Sequence, residues 1–159
     1  NMTEISKFNF LLQEFLDKMV NKFDNDKLRS YRKAFMLLKI TSPESPVNLF
    51  MTSCINYKHK IVIRDEEFFL SNKEIKNKAN NFGNFTDECG LSYYWESLNS
   101  VSKNAIWDYL QSLFILGEII VNKNKDLFKK YSNLRIEDHK TDLNSAQTNN
   151  FSATFLEKL

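Results

Sequence analysis

Residues 102–121, SKNAIWDYLQSLFILGEIIV, constrain the fold of this chain more than any other segment. Their apolar positions recur three and four residues apart, which is the spacing of an amphipathic helix with one broad apolar face. These positions are Ile106, Tyr109, Leu110, Leu113, Phe114, Gly117 and Val121. Ser102 stands where an N-cap residue is expected. A helix this apolar needs packing partners, so we expect it to be the centre of a helical core, with Leu110 and Leu113 almost fully buried.

Further apolar patterns before this helix predict that the whole fold is α-helical. Thr3 can cap a first helix that ends near residue 23, and the Asp24-Asn25-Asp26 turn can cap a second. Ser45 followed by Pro46 fits the N-cap and first position of a third helix. We therefore predict a compact bundle of about five to seven helices around the helix at residues 102–121.

One short segment of the chain fits two kinds of secondary structure, and two longer segments lack a regular apolar pattern. The β-branched run Ile61-Val62-Ile63 fits either a stray strand or the end of a helix. Residues 71–90 are polar and predict a long loop. A length of 159 residues predicts one domain, which we place at residues 1–138. Residues 139–159 are polar and aperiodic, which predicts a flexible tail.

Composition and charge exclude few classes of protein. The formal net charge of +2 gives no strong field, which argues against a highly basic nucleic-acid-binding protein. No apolar run approaches the roughly 20 residues of a membrane-spanning helix. No leader pattern is visible, so we expect a cytosolic or nuclear protein. Two cysteines, Cys54 and Cys89, do not make a disulfide framework, and we expect reduced thiols.

No residue pattern in the chain predicts catalysis, a cofactor or a metal ion. Cys54 and His59 are not spaced as zinc ligands or as a nucleophile with its base. The acidic run at residues 65–67 lacks the pattern of a calcium loop and fits the start of a helix. Three glycines in the whole chain leave little room for a phosphate-binding loop. We therefore expect a protein that is not an enzyme and has no cofactor.

Clusters of lysine permit a nucleic-acid-binding hypothesis. Basic side chains can neutralise phosphates while neighbouring aromatic rings stack on bases. One cluster lies within residues 73–78, and the other consists of Lys123, Lys125, Lys129 and Lys130, with Phe128 and Tyr131 next to lysines in the chain. The alternative is a solvated surface with Phe128 and Tyr131 in the core, and this alternative is favoured because arginine, the usual base reader, is scarce.

A surplus of aromatic residues favours a protein-binding hypothesis instead. Tyr93, Tyr94 and Trp95 are consecutive, so one helix cannot direct all three toward a single narrow face. Trp107 lies at the edge of the apolar stripe of residues 102–121. Exposed Trp and Tyr side chains are typical anchors of interfaces, and we expect these four residues to bind a protein partner or a second copy. The alternative is that two layers of the fold bury them from both sides.

Three segments together resemble a known group of proteins. They are YRKAFMLLKITSP at residues 31–43, IVIRDEEFF at residues 61–69 and IWDYLQSL at residues 106–113. The chain resembles the Lys- and Asn-rich helical proteins of nucleocytoplasmic large DNA viruses of the mimivirus kind, over residues 8–120. The abundance of residues with AT-rich codons agrees with such an origin and equally with an AT-rich protist.

This resemblance brings no assigned activity and no functional residue. It implies a viral protein of the host cytoplasm, acting in the virus factory or in the virion. Together with the aromatic surplus, it leads us to expect a non-enzymatic scaffold or adaptor. The alternative is a weak nucleic-acid-binding protein that uses the lysine clusters.

Overall fold

The computed structural model describes residues 3–70 and 94–129, and within these ranges the chain forms six α-helices and no strand. A single 3-10 turn, Ile55–Tyr57, joins the third helix to the fourth. The helices are α1 (Glu4–Lys22), α2 (Asp26–Thr41), α3 (Ser45–Cys54), α4 (Lys58–Ile63), α5 (Glu67–Leu70) and α6 (Ser100–Lys123). The predicted all-α bundle is confirmed. The ambiguous run at residues 61–63 is the end of α4. The predicted loop at residues 71–90 and the predicted tail at residues 139–159 lie outside the described residues.

Side-chain caps fix the starts of the three longest helices. The Thr3 hydroxyl accepts a hydrogen bond from the Ser6 N–H, and the Asn25 side chain accepts one from the Leu28 N–H, as predicted. The prediction that Ser102 caps the central helix is wrong. Asn99 is the N-cap, and its side chain accepts a hydrogen bond from the Ser102 N–H. Asn is as good a cap as Ser, and the helix therefore begins about one turn earlier than predicted.

The central helix α6 is 24 residues long, and α1, α3 and α4 pack against it. Leu110 and Leu113 are almost completely buried, as their place on the apolar stripe predicts. Burial continues around most of the helix from Leu110 to Gly117, because neighbouring helices cover it from several sides. The core therefore surrounds α6 rather than lying along one of its faces.

A glycine lets α3 approach α6 closely. A Cβ atom at Gly117 would lie 2.3 Å from the sulfur of Met51, which is fully buried on α3. That distance is far below any van der Waals contact, so a larger residue at this position would displace the Met51 side chain. Gly117 thus belongs to the packing of the core.

Candidate functional site

The two tryptophans expected at a binding surface lie in the core. Trp95 has no exposed surface, and Trp107 is 3% exposed. The Trp95 ring stacks on Phe69 with 4.0 Å between ring centroids, and it meets Trp107 edge-on at 5.7 Å. Trp95 is therefore not an exposed anchor, and the alternative of burial from two sides holds for it. Two layers bury it, since α5 covers one side and α6 the other.

Of the two tyrosines in the predicted aromatic site, the structure describes one. Tyr94 is half-buried and stacks on Phe23 of the α1–α2 turn, with 4.9 Å between centroids. Tyr93 lies outside the described residues. The three of these residues that the structure describes do not form one exposed site, because the rings of Tyr94, Trp95 and Trp107 pack on Phe23 and on α5 and α6.

The second lysine cluster lies at the end of α6. Lys123, Lys125 and Lys129 are exposed, and the Lys123 ammonium donates to the Glu4 carboxylate of α1. Phe128 is buried, so its face is not available to stack on a base. Lys130 and the cluster at residues 73–78 lie outside the described residues. This surface therefore carries exposed lysines but no exposed Phe128 ring that could stack on a base.

Sequence reasoning missed a polar junction between α4 and α6 that is centred on Arg64. Arg64 ends α4 with a φ of 56°, the left-handed conformation that glycine normally adopts at this position. Its guanidinium donates to the Asp108 carboxylate at 2.5 Å and to the Gln111 side-chain oxygen at 2.7 Å. Holding a non-glycine residue there costs on the order of 1–2 kcal/mol, and these bonds offset that cost. The run IVIRDEEFF contains no signal of this backbone conformation.

Gln111 connects the two sides of the junction. It is buried on α6, and its side-chain nitrogen donates to the carbonyl oxygens of Ile61 and Val62 at 3.0 and 3.3 Å. Its oxygen accepts from Arg64, so both ends of the amide are used. Carbonyls at the end of a helix need such partners when they are buried.

Glu66 forms the outer part of this junction. Its carboxylate accepts from the Lys103 ammonium at 2.9 Å and from the Trp95 indole N–H at 3.2 Å. The hydrogen bond from Lys103, assisted by that from Trp95, lowers the pKa of the Glu66 carboxyl. Lys103 also lies over the Trp95 ring, 5.4 Å from its centroid. Glu66 thus satisfies the one polar atom of the buried indole and ties it to α6.

A different surface carries the exposed apolar residues of the hairpin formed by α1 and α2. Phe10, Leu37 and Ile40 are large apolar side chains that remain mostly exposed. These residues were not predicted to form a site, although Leu37 and Ile40 lie off the stripe of α2 that contains the buried residues Leu28 and Phe35. Their position off the buried stripe is the feature of the sequence that could have indicated their exposure.

Two hydrogen bonds across the hairpin give the register of α1 and α2 near these exposed residues. Across the α1–α2 seam, Lys39 donates to Gln13 at 2.6 Å, and Arg32 donates to Asp17 at 2.5 Å. Phe10 lies one turn before Gln13, and Ile40 follows Lys39 directly, so the two border the same stretch of the seam. Leu37 and Lys33 continue along α2, one and two turns from Ile40. We call Phe10, Lys33, Leu37 and Ile40 the hairpin face.

The chemistry of metals and thiols adds no site to these surfaces. Within residues 3–70 and 94–129, no three His, Cys, Asp or Glu side chains are grouped so that they could hold a metal ion. Burial raises the pKa of the Cys54 thiol well above its ordinary value. Because the thiolate is the reactive form, Cys54 behaves as a small apolar core residue.

Among the helices that the structure describes, none has the length and apolar content needed to cross a membrane.

Comparisons of the chain with protein-family models, with curated protein sequences and with solved structures find no match.

Proposed function

We propose that this chain is a non-enzymatic protein-interaction module, a scaffold or adaptor, that binds an acidic helical segment of a partner on the hairpin face. The observation that carries the proposal is the exposure of Phe10, Leu37 and Ile40 on that face. Exposed apolar side chains that are grouped on one surface are typical of sites where other proteins bind. A partner helix that covers them would remove their apolar area from water.

The charge of α2 supports an acidic partner. The helix carries five basic residues and one acidic residue, whereas the whole chain has a net charge of only +2. Arg29 and Arg32 are paired with acidic residues. Lys27 and Lys33 are exposed and form no ion pair among the described residues. Lys33, Leu37 and Ile40 are spaced as one stripe of a helix, so they can meet a partner with apolar anchors and acidic flanks.

The alternative, weak binding of nucleic acid by Lys123, Lys125, Lys129 and Lys130, has less support. Lys123 already pairs with Glu4, and Phe128 is buried. If the resemblance to proteins of large DNA viruses reflects common origin, the partner belongs to the virus factory or the virion.

The chain offers a matched pair of double variants to test the hairpin face. Leu37→Asp with Ile40→Asp places charge on the face, at residues that are 62% and 75% exposed. Leu127→Asp with Val101→Asp does the same elsewhere, at residues that are 56% and 76% exposed. Partners are purified by affinity, and the acidic segment of the strongest one is synthesised for fluorescence anisotropy. We expect the hairpin variant to bind that peptide at least about tenfold more weakly, because each anchor contributes more than about 1 kcal/mol. The control should bind normally.

Two further experiments complete this test: one reverses a charge on the hairpin face, and the other measures the oligomeric state. Lys33→Glu should weaken binding of the peptide and reduce its dependence on salt, because that dependence arises from opposite charges across the interface. Equal binding by both double variants would overturn the proposal. Light scattering provides a further outcome: a dimer that only the hairpin variant abolishes would make a second copy the occupant, and the acidic partner would be rejected.

A further inference from the structure

An open cavity lies beside the junction of Arg64 and Glu66, at the beginning of α6. Its volume is about 440 Å³, within the range of small-molecule sites. Trp107 and Leu98 supply its apolar wall. Its polar lining comes from the end of α4, the turn before α5 and the first two turns of α6: Arg64, Glu66, Ser100, Lys103 and Asn104.

The two cations of this lining keep donors to spare. Arg64 uses Nε and Nη2 for Gln111 and Asp108, and no described residue accepts from its Nη1. Lys103 has three donors and gives one of them to Glu66. Both side chains are mostly covered, with 31% and 24% of their surfaces exposed, so their charges are less screened than charges in open solvent.

The hydrogen-bond donors that remain free in the cavity suit an anion. Glu66 is acidic, but its carboxylate is held by Lys103 and by the Trp95 indole. Each cation of the lining is already paired with a carboxylate, Lys103 with Glu66 and Arg64 with Asp108, so the donors that remain free, rather than a net charge, are what the cavity offers to an anion. Arg64 is also held in the left-handed conformation, and its fork is fixed by Gln111 and Asp108 before any ligand arrives. A guanidinium that is fixed in this way loses little freedom when it binds an oxyanion.

We propose that this cavity binds a small oxyanion, a phosphate or carboxylate group, through Arg64 and Lys103, with the Ser100 hydroxyl and the Asn104 amide as further donors. This site does not depend on the hairpin face, which lies on other helices. The chain then has a small-molecule ligand in addition to its protein partner.

The two tryptophans of the chain make the site directly observable. Trp107 lines the cavity and Trp95 bonds to Glu66, so the intrinsic tryptophan fluorescence of the full chain reports on this region. The chain is titrated with inorganic phosphate and, separately, with succinate, at constant ionic strength. The amide resonances of Ser100, Lys103 and Asn104 are followed in parallel by NMR. We expect saturable changes in both signals, and the anion that binds more tightly identifies the group.

A matched lysine provides the control. Lys18 lies 5.3 Å from the Tyr109 ring centroid, as Lys103 lies 5.4 Å from that of Trp95, but Lys18 does not line the cavity. Lys103→Gln should weaken binding by at least about tenfold, because a charge-assisted hydrogen bond is lost, and Lys18→Gln should leave it unchanged. If Lys103→Gln does not fold, Asn104→Asp tests the same point at an exposed residue and should abolish binding. Changes that never saturate, or equal losses in the two lysine variants, would overturn the proposal.

Discussion

Replacing Trp95 by alanine is expected to lower the free energy of unfolding by about 3–5 kcal/mol, the usual cost of removing a buried tryptophan. The ring has no exposed surface and is stacked on Phe69 and packed against Trp107. Its removal also leaves the Glu66 carboxylate without one of its donors. Urea unfolding followed by circular dichroism measures the effect without depending on tryptophan fluorescence.

The control for this prediction is Ile40→Ala, which removes an exposed apolar side chain and should change stability by less than about 0.5 kcal/mol. A Trp95→Ala protein that is as stable as the original chain would place Trp95 at the surface. That result would restore the hypothesis that the aromatic residues around position 95 form the binding site.

Replacing Leu113 by alanine should lower the free energy of unfolding by about 2–5 kcal/mol. Leu113 is fully buried at the middle of α6, the helix against which α1, α3 and α4 pack. Because protein interiors are closely packed, the cavity left behind adds to the loss of buried apolar surface. Urea unfolding measured by circular dichroism gives the value directly.

Val101→Ala is the control on the same helix, because Val101 is exposed in the first turn of α6. It should have little effect on the free energy of unfolding or raise it slightly, since alanine is the better helix former. Equal losses for Leu113→Ala and Val101→Ala would mean that α6 is not the centre of the core.

The sequence was sufficient to predict the helices that have regular apolar stripes. Leu110 and Leu113 recur at helical spacing, and the structure buries both. Thr3 and Asn25 could be recognised as caps because a short polar side chain precedes each stripe. These features depend on neighbours within one or two turns, and such local relations are visible in the order of residues.

The position of the aromatic residues could not be obtained in this way. Trp95 is buried because Phe69 of α5 and Trp107 of α6 cover it from two sides. These residues are far from one another in the chain, so no local period relates them. The angle between consecutive residues of a helix indicates only that Tyr93, Tyr94 and Trp95 cannot all face one way, and tertiary packing determined that Trp95 is buried.

The polar junction at Arg64 could not be predicted from the sequence, for a different reason. A left-handed residue at the end of a helix is normally glycine, and nothing in the neighbouring residues distinguishes Arg64 from an ordinary surface arginine. Its conformation depends on Asp108 and Gln111, which are 44 and 47 residues further along the chain. Long-range partners of this kind appear only when the helices are placed in space.

Photo-crosslinking is the most direct test of the hairpin face as the site where the partner binds. The photo-reactive residue p-benzoylphenylalanine is placed at position 40 in one protein and at position 101 in a second, since both positions are about three-quarters exposed. Each protein is irradiated with the partner bound, and the linked peptides are identified by mass spectrometry. The account predicts a link from position 40 to an acidic segment of the partner and none from position 101. A link from position 101 alone would contradict it.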